Sequence, residues 1–302
     1  MLKIGIIGVG GVGGYIGAKL IQKGLAEVTL FARGESYNFI KNNYLKVIDC
    51  GDEFIVNPKI LIDTENDDSD EIFDIIFIAT KTYNFEDIAK NLALHVDENT
   101  LIIPLSNGVN HKVELSSYLS KGVVLDGCVY ILSNIEEAGF IHKKAKTFYL
   151  IFGDYKNRFQ PKLQRLADVL NESGLKTKLS QNIEYDCWVK YLLISSFATL
   201  TSYYKEPMGF VLEHKFATLK EVLKEICAVA NAQGVNIGES EIEKTIKQIR
   251  NIPYESKTSM QLDFEQNSKT ELESLCGYIV KEAKIVGVEV KNMQTMYEKL
   301  KG

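Results

Sequence analysis

The stretch Ile4-Gly5-Ile6-Ile7-Gly8-Val9-Gly10-Gly11-Val12-Gly13 decides the fold. An apolar run enters a Gly-x-Gly-x-x-Gly turn made by Gly8, Gly10 and Gly13, the pattern of a dinucleotide-phosphate site. Gly8 is needed for the tight turn, Gly10 for close approach of the backbone to a pyrophosphate, and Gly13 for close packing of the next helix on the strand. The whole turn, Gly8-Val9-Gly10-Gly11-Val12-Gly13, is the candidate cradle, and the helix N-terminus beyond it faces the anion. A bare glycine pattern arises often by chance in a chain with 22 glycines. Its context decides for function: Tyr15 to Ile21 read as a helix, Gly24 ends it, and Val28-Thr29-Leu30-Phe31 begins a second strand.

That second strand ends in Ala32-Arg33-Gly34, roughly 20 residues beyond the glycines, where an NAD-specific domain carries an acidic residue. A guanidinium there can take the 2′-phosphate of NADP in a charge-assisted contact that a carboxylate would repel. The competing reading is a solvated loop arginine, with Glu35 serving the ribose.

Two halves follow different rules. Up to about residue 155, strand and helix signals alternate. Residues 72–79, 100–105 and 123–129 read as buried parallel strands, and Phe85 to Leu94 as a helix between the first two. After about residue 180 long helical patterns take over: Tyr185 to Tyr204, Phe210 to Gln233, Glu239 to Arg250, Thr270 to Ile285 and Asn292 to Leu300. The expected architecture is α/β, a Rossmann-type doubly wound parallel sheet over residues 1–179 followed by an all-helical domain over 180–302.

Composition limits the alternatives. The formal charge of −5, with Lys and Arg scattered, argues against a nucleic-acid partner. The acidic stretch Thr64 to Glu71 lacks calcium-loop spacing and reads as a solvated loop; no metal is expected. Five cysteines without a Cys-x-x-Cys pair read as reduced thiols. Tyr191 to Tyr204 is too short and too rich in Ser and Thr to span a membrane, and the N-terminus carries no secretory pattern, so a cytoplasmic protein is expected.

Ligands of open parallel sheets sit outside the carboxyl ends of the strands, where Thr80-Lys81-Thr82 and Ser106-Asn107-Gly108 fall. Lys81 suits a phosphate or carboxylate and Asn107 a ribose or substrate oxygen; both also read as ordinary loop residues. Lys190 is the only formal charge between Asp186 and Lys205. It either faces a cleft, where its ammonium can polarise a ketone, or snorkels to solvent beside Asp186 four positions earlier. Ser268 and Glu271 fit a capping box, and Ser259 stands where the helix Met260 to Glu265 can begin, so both Glu271 and Ser259 have structural readings.

Taken in order, Gly8 to Gly13, Arg33, Ala79-Thr80-Lys81, Asn107-Gly108, Trp188-Val189-Lys190, Thr258-Ser259-Met260 and Thr270-Glu271 resemble the ketopantoate reductase (2-dehydropantoate 2-reductase) family over nearly the whole chain. The resemblance implies an NADPH-dependent reductase of a small 2-oxo acid in pantothenate and coenzyme A synthesis, commonly a homodimer, with its site between the two domains. It makes Lys190 the acid that protonates the ketone oxygen, and sets Asn107 near nicotinamide and substrate. Lys81, Ser133 and Glu271 fall on the cofactor side and Ser259 and Ser256 on the substrate side.

Departures fall on the substrate side. Family members that act on ketopantoate carry asparagines where Ile194, Ala198 and Met208 stand here. A site built to bond a hydroxyl discriminates by roughly 10⁴ to 10⁵, so the three apolar residues point also to a less hydroxylated 2-oxo acid, with Ser195, Ser196, Thr199 and Thr201 as possible replacements. A non-catalytic NADP-binding sensor is the remaining reading.

Overall fold

The structure, a computed structural model, describes residues 1–64, 69–156 and 158–302. Positions 65–68 of the acidic stretch lie outside the described residues. The chain divides into two compact units, one of residues 1–106 with 111–183 and one of residues 107–110 with 184–302.

The first unit is built on a parallel sheet of six strands: β1 (Leu2–Ile7), β2 (Ala26–Ala32), β5 (Ile60–Asp63), β6 (Ile75–Ile78), β7 (Leu101–Pro104) and β8 (Val123–Val124). Their spatial order is β5-β2-β1-β6-β7-β8, so in order of appearance the sheet runs 3-2-1-4-5-6, the doubly wound arrangement with its switch point between β1 and β6. The continuous apolar runs follow from burial on both faces. Ile75 and Phe77 point into one core with Ile4, Ile6 and Leu30, whereas Ile76 and Ile78 join Phe31, Phe85 and Leu115 in another. The latter face is covered by α3 (Phe85–Leu92) and α4 (His111–Tyr118). Helix α1 (Gly13–Lys23) joins β1 to β2 and ends at Gly24, whose φ of 66° is the left-handed turn that glycine adopts without strain.

A second sheet in this unit lies outside the sequence expectation. It comprises β3 (Leu45–Asp49), β4 (Asp52–Val56), β9 (Asp126–Glu137), β10 (Phe140–Gly153) and β11 (Thr177–Leu179). The expected parallel strand at 123–129 is divided between the sheets: β8 pairs parallel with β7, and from Asp126 the chain enters the long antiparallel β9–β10 hairpin. Register shifts at Phe140/Ile141 and between Lys143 and Phe148 break the alternation that would reveal these strands. Gly139, at φ 77°, makes the turn.

The second unit is helical: α6 (Ile183–Tyr204), α7 (Met208–His214), α8 (Phe216–Ala232), α9 (Glu239–Ile249), α10 (Ser259–Glu265), α11 (Tyr278–Val286) and α12 (Lys291–Lys301), with α5 (Gln160–Glu172) and α2 (Gly34–Asn42) belonging to the first unit. The expected single helix 210–233 is two, because the chain leaves helical geometry at Lys215 (φ −128°, ψ 24°). The expected helix 270–285 starts with a π-helical turn over Glu273–Gly277. The core of this unit gathers Leu192, Phe197 and Ala198 of α6 with Val222, Ile226, Leu275 and Ile279. No helix among the described residues is long and apolar enough to cross a membrane.

Candidate active site

In the first unit the glycine turn sits at the switch point of the parallel sheet, and its glycines differ in what surrounds them. Gly8 has φ 94°, and a Cβ there would lie 2.6 Å from Thr80 Cγ2. A Cβ on Gly13 would lie 2.2 Å from the Gly8 carbonyl oxygen and 2.9 Å from Ala79 Cβ. The end of β6, Ala79-Thr80-Lys81, is therefore packed directly on the turn. A Cβ on Gly11 would meet Ser133 Oγ at 2.6 Å, and the Ser133 hydroxyl donates to the Gly11 carbonyl. Ser133, on β9, thus fastens the hairpin to the cradle. Gly10 alone of these faces open space, its nearest neighbour a distant Ile135 Cδ1 at 4.0 Å.

That open position is where a pyrophosphate needs room. The first turn of α1 carries no acidic residue and Val12 offers no side-chain cap, so nothing from its own sequence competes with an anion there. Arg33, exposed, precedes α2 at the carboxyl end of β2, the strand beside β1, and Lys81 precedes a 3₁₀ turn at the end of β6 on the other side of β1. Ser106 Oγ donates to the Thr80 carbonyl at 2.6 Å, joining the ends of β7 and β6. The residues present fit a dinucleotide phosphate.

Asn107, Lys190, Ser256, Ser259 and Glu271 all belong to the second unit, and the structure joins Lys190 to Asn107 directly. Lys190 is 8% exposed, and its Nζ donates to Asn107 Oδ1 at 2.9 Å. The ammonium is held inside by an amide oxygen instead of being extended into water. Beyond Lys190 on α6, Tyr191 next to it and Ser195 about a turn further serve a different partner. The phenol of Tyr191 donates to the Ser274 and Leu275 carbonyls at 2.9 and 2.7 Å, and Ser195 Oγ to Leu275 O at 2.6 Å. These are carbonyls of the π-helical turn, whose widened backbone leaves them open to side-chain donors. Burial pushes the Tyr191 phenol well above its usual range, so it stays a donor at any physiological pH. The turn that follows Glu271 is in this way tied to the helix of Lys190.

Two capping expectations change. Thr258 is the N-cap of α10, its hydroxyl accepting from the Gln261 N–H at 3.3 Å, and Ser259 is the first helical residue, exposed. At Glu271 the hydroxyl contact comes from Thr270, which accepts from Leu272 N at 3.3 Å, and the Glu271 carbonyl accepts from Leu275 N at 3.0 Å. Glu271 is a buried carboxyl, 2% exposed, ahead of the helix. Reasoning from sequence named Thr258 and Thr201 but missed the cap that Thr258 supplies and its bond to Thr201; the signal for the cap was the Thr-Ser pair before an apolar run, in which either hydroxyl can cap.

Ala198 and Met208 pack in the helical core, with Ile194 against it. Of the four hydroxyls named as replacements, Thr199 is fully buried, and Ser195, Ser196 and Thr201 have no proton left to donate to a ligand. Each of these three directs its single proton at a main-chain carbonyl: Leu275, Leu192 and Phe197 respectively, at 2.6 to 2.7 Å. Among the described residues no cluster of three or more His, Cys, Asp or Glu side chains suits a metal ion.

The family model for ketopantoate reductase PanE/ApbA matches residues 4–157, and that for the ketopantoate reductase PanE/ApbA C-terminal region matches 182–302. The chain belongs to the ketopantoate reductase family. Within it, the chain is 28% identical to the uncharacterized oxidoreductase YkpB of Bacillus subtilis over 99% of its own length and 98% of that protein. It is 27% identical to the 2-dehydropantoate 2-reductase of Pyrococcus horikoshii over 95% and 93% of the two chains. The crystal structure of 2-dehydropantoate 2-reductase from Porphyromonas gingivalis W83 superposes with a TM-score of 0.86 at 28% identity, covering 100% of this chain and 99% of that one. This ketopantoate reductase homologue is an oxidoreductase.

Proposed function

We propose that the chain reduces the ketone of a small 2-oxo acid with NADPH, that 2-dehydropantoate is the leading substrate, and that Lys190 is the general acid. The observation that carries this reading is the buried Lys190 ammonium bonded to Asn107 Oδ1, the one charge on α6 beyond Asp186 in its first turn.

The nicotinamide supplies a hydride to the ketone carbon when bound. The glycine turn and the N-terminus of α1 hold its pyrophosphate, Arg33 its 2′-phosphate, and Lys81, Ser133 and Glu271 support the cofactor side. Lys190 does the proton chemistry. Its Nζ donates to the ketone oxygen, stabilises the charge that grows there, and passes a proton to it as the alcohol forms. A positive charge in a site shielded from water acts more strongly than it would in bulk solvent. Asn107 can only accept through Oδ1, so it fixes where the ammonium sits without taking its proton. Ser259 and Ser256 hold the oxo acid.

A second reading keeps this chemistry on a less hydroxylated 2-oxo acid. It is favoured by the core positions of Ala198 and Met208 and by the main-chain commitments of Ser195, Ser196 and Thr201. The test is NADPH oxidation with 2-dehydropantoate beside 3-methyl-2-oxobutanoate, which lacks only the hydroxymethyl group. A kcat/KM at least tenfold higher for 2-dehydropantoate supports the leading substrate, a reversed preference supports the second reading, and turnover of neither overturns both.

A further inference from the structure

We propose that Thr201 and Thr258 form a positioning pair that fixes the substrate-side Ser259 relative to the helix of Lys190. This deepens the reading above and rests on the substrate-side role given there to Ser259. The two hydroxyls meet at 2.9 Å, Thr201 fully buried and Thr258 5% exposed.

Donor and acceptor roles in this contact follow from chemistry. The Phe197 carbonyl can only accept, and Thr201 Oγ1 lies 2.7 Å from it, so the Thr201 proton points there. Thr258 must then donate to Thr201, and Thr258 in turn accepts from Gln261 N. The result is a directed chain, Gln261 N–H to Thr258 to Thr201 to the Phe197 carbonyl. Every hydroxyl proton in it is used, and it runs from the first turn of α10 into the backbone of α6. Thr201 lies eleven residues beyond Lys190, close to three full helical turns, and hence on the same stripe of α6.

The segment before Thr258 is held independently. Met208 N and Gly209 N, at the start of α7, donate to the Ser256 and Tyr254 carbonyls at 2.9 and 3.0 Å. Tyr254 fills the space a side chain on Gly209 would need, with Cδ2 only 2.1 Å from the position of a Cβ. Residues 254–258 are thus pinned by α7 at one end and by Thr201 at the other, and Ser259 follows immediately. Two apolar residues of the same shape would cost little stability at such a buried contact. What the hydroxyl pair adds is direction: it specifies one register of the loop on α6, so loss of the pair as a whole is read in substrate binding more than in stability, whereas removing one member also strands a buried donor and lowers stability.

The experiment measures KM for 2-dehydropantoate and, in parallel, for 3-methyl-2-oxobutanoate at saturating NADPH. Thr201→Val is expected to raise the oxo-acid KM about tenfold with kcat within about twofold, since it strands the Thr258 donor. The NADPH KM stays unchanged. Thr201→Ser keeps the hydroxyl and the wild-type KM. In a Ser259→Ala background, Thr201→Val adds nothing further, because the residue it positions is already gone. A wild-type KM in Thr201→Val, a serine variant no better than alanine at position 201, or full additivity with Ser259→Ala overturns the pair. The serine–alanine comparison decides the matter even where the valine variant folds poorly. An unchanged KM in Ser259→Ala alone removes the substrate-side reading of Ser259 and the pair's role with it. A raised KM there beside a normal Thr201→Val removes the pair alone.

Discussion

Gly10→Ala and Gly13→Ala separate the ligand role of the glycine turn from its structural one. At Gly13 an added Cβ stands 2.2 Å from a backbone oxygen, about 1 Å inside ordinary contact, with Ala79 and Ile6 closing the other sides at 2.9 and 3.1 Å. Backbone cannot swing aside as a side-chain tip can. Overpacking of this kind costs about 1–3 kcal/mol where a side chain yields, and a main-chain clash belongs at or above the top of that range. At Gly10 a Cβ meets only Ile135 Cδ1, at 4.0 Å, and φ is not positive. Alanine there is strain-free and stiffens the unfolded chain, which stabilises by about 0.4–1 kcal/mol. Its methyl group nevertheless occupies the space proposed for the pyrophosphate. Thermal unfolding and NADPH fluorescence titration on both variants provide the assay. Gly10→Ala is expected to unfold at or slightly above the wild-type temperature while binding NADPH at least tenfold more weakly, a loss of about 1.4 kcal/mol. Gly13→Ala is expected to lose stability outright. Wild-type NADPH affinity in Gly10→Ala would refute the cradle.

Two further predictions concern charge. Arg33→Ala is expected to weaken NADPH at least tenfold more than NADH, and equal effects in parallel titrations would remove its contact with the 2′-phosphate. Asp49 is the centre of a partly buried cluster, accepting from Lys143 Nζ at 2.6 Å and from Tyr15 OH at 2.8 Å. Burial alone would raise its pKa, but the hydrogen bonds from Lys143 and Tyr15 and the charges of Lys143 and Lys19 outweigh it and hold the carboxyl below the usual range. A depressed carboxyl contributes stability above its unfolded value, near pH 4, that is lost as pH falls through the folded value. The gap in unfolding temperature between wild type and Asp49→Asn should therefore be widest at neutral pH and narrow below about pH 4; a gap independent of pH would contradict the assignment.

The doubly wound sheet was legible because burial on both faces writes itself as uninterrupted apolar runs, at 75–78 and 101–104. The second sheet was not, since β9 passes from buried at 127–129 to exposed at 135–137 along its length and its pairing with β10 shifts register twice, which erases a clean period of two. Glu137-Ala138-Gly139-Phe140 was the overlooked turn signal. In the helical unit the extents of α6 and α9 were readable from apolar spacing, whereas the break at Lys215 carries neither Gly nor Pro to announce it. The candidate site divides the same way. The glycine turn is a local pattern, visible as written. The partnership of Lys190 with Asn107 spans 83 residues, and that of Thr201 with Thr258 spans 57, so neither leaves a trace in any sequence window. The capping box at Ser268 and Glu271 shows the converse: the local pattern is present in the sequence, but the helix begins at 272 and the local hydroxyl contact is that of Thr270 with Leu272 N.

The most direct measurement is NADPH oxidation by Lys190→Met, a substitution that keeps the length of the side chain and removes its proton, with NADPH affinity determined on the same preparation. Turnover should fall by at least about 10²-fold, the lower range for loss of a general acid, while NADPH binds as in the wild type. Turnover within a few-fold of wild type would contradict the proposal that Lys190 delivers the proton.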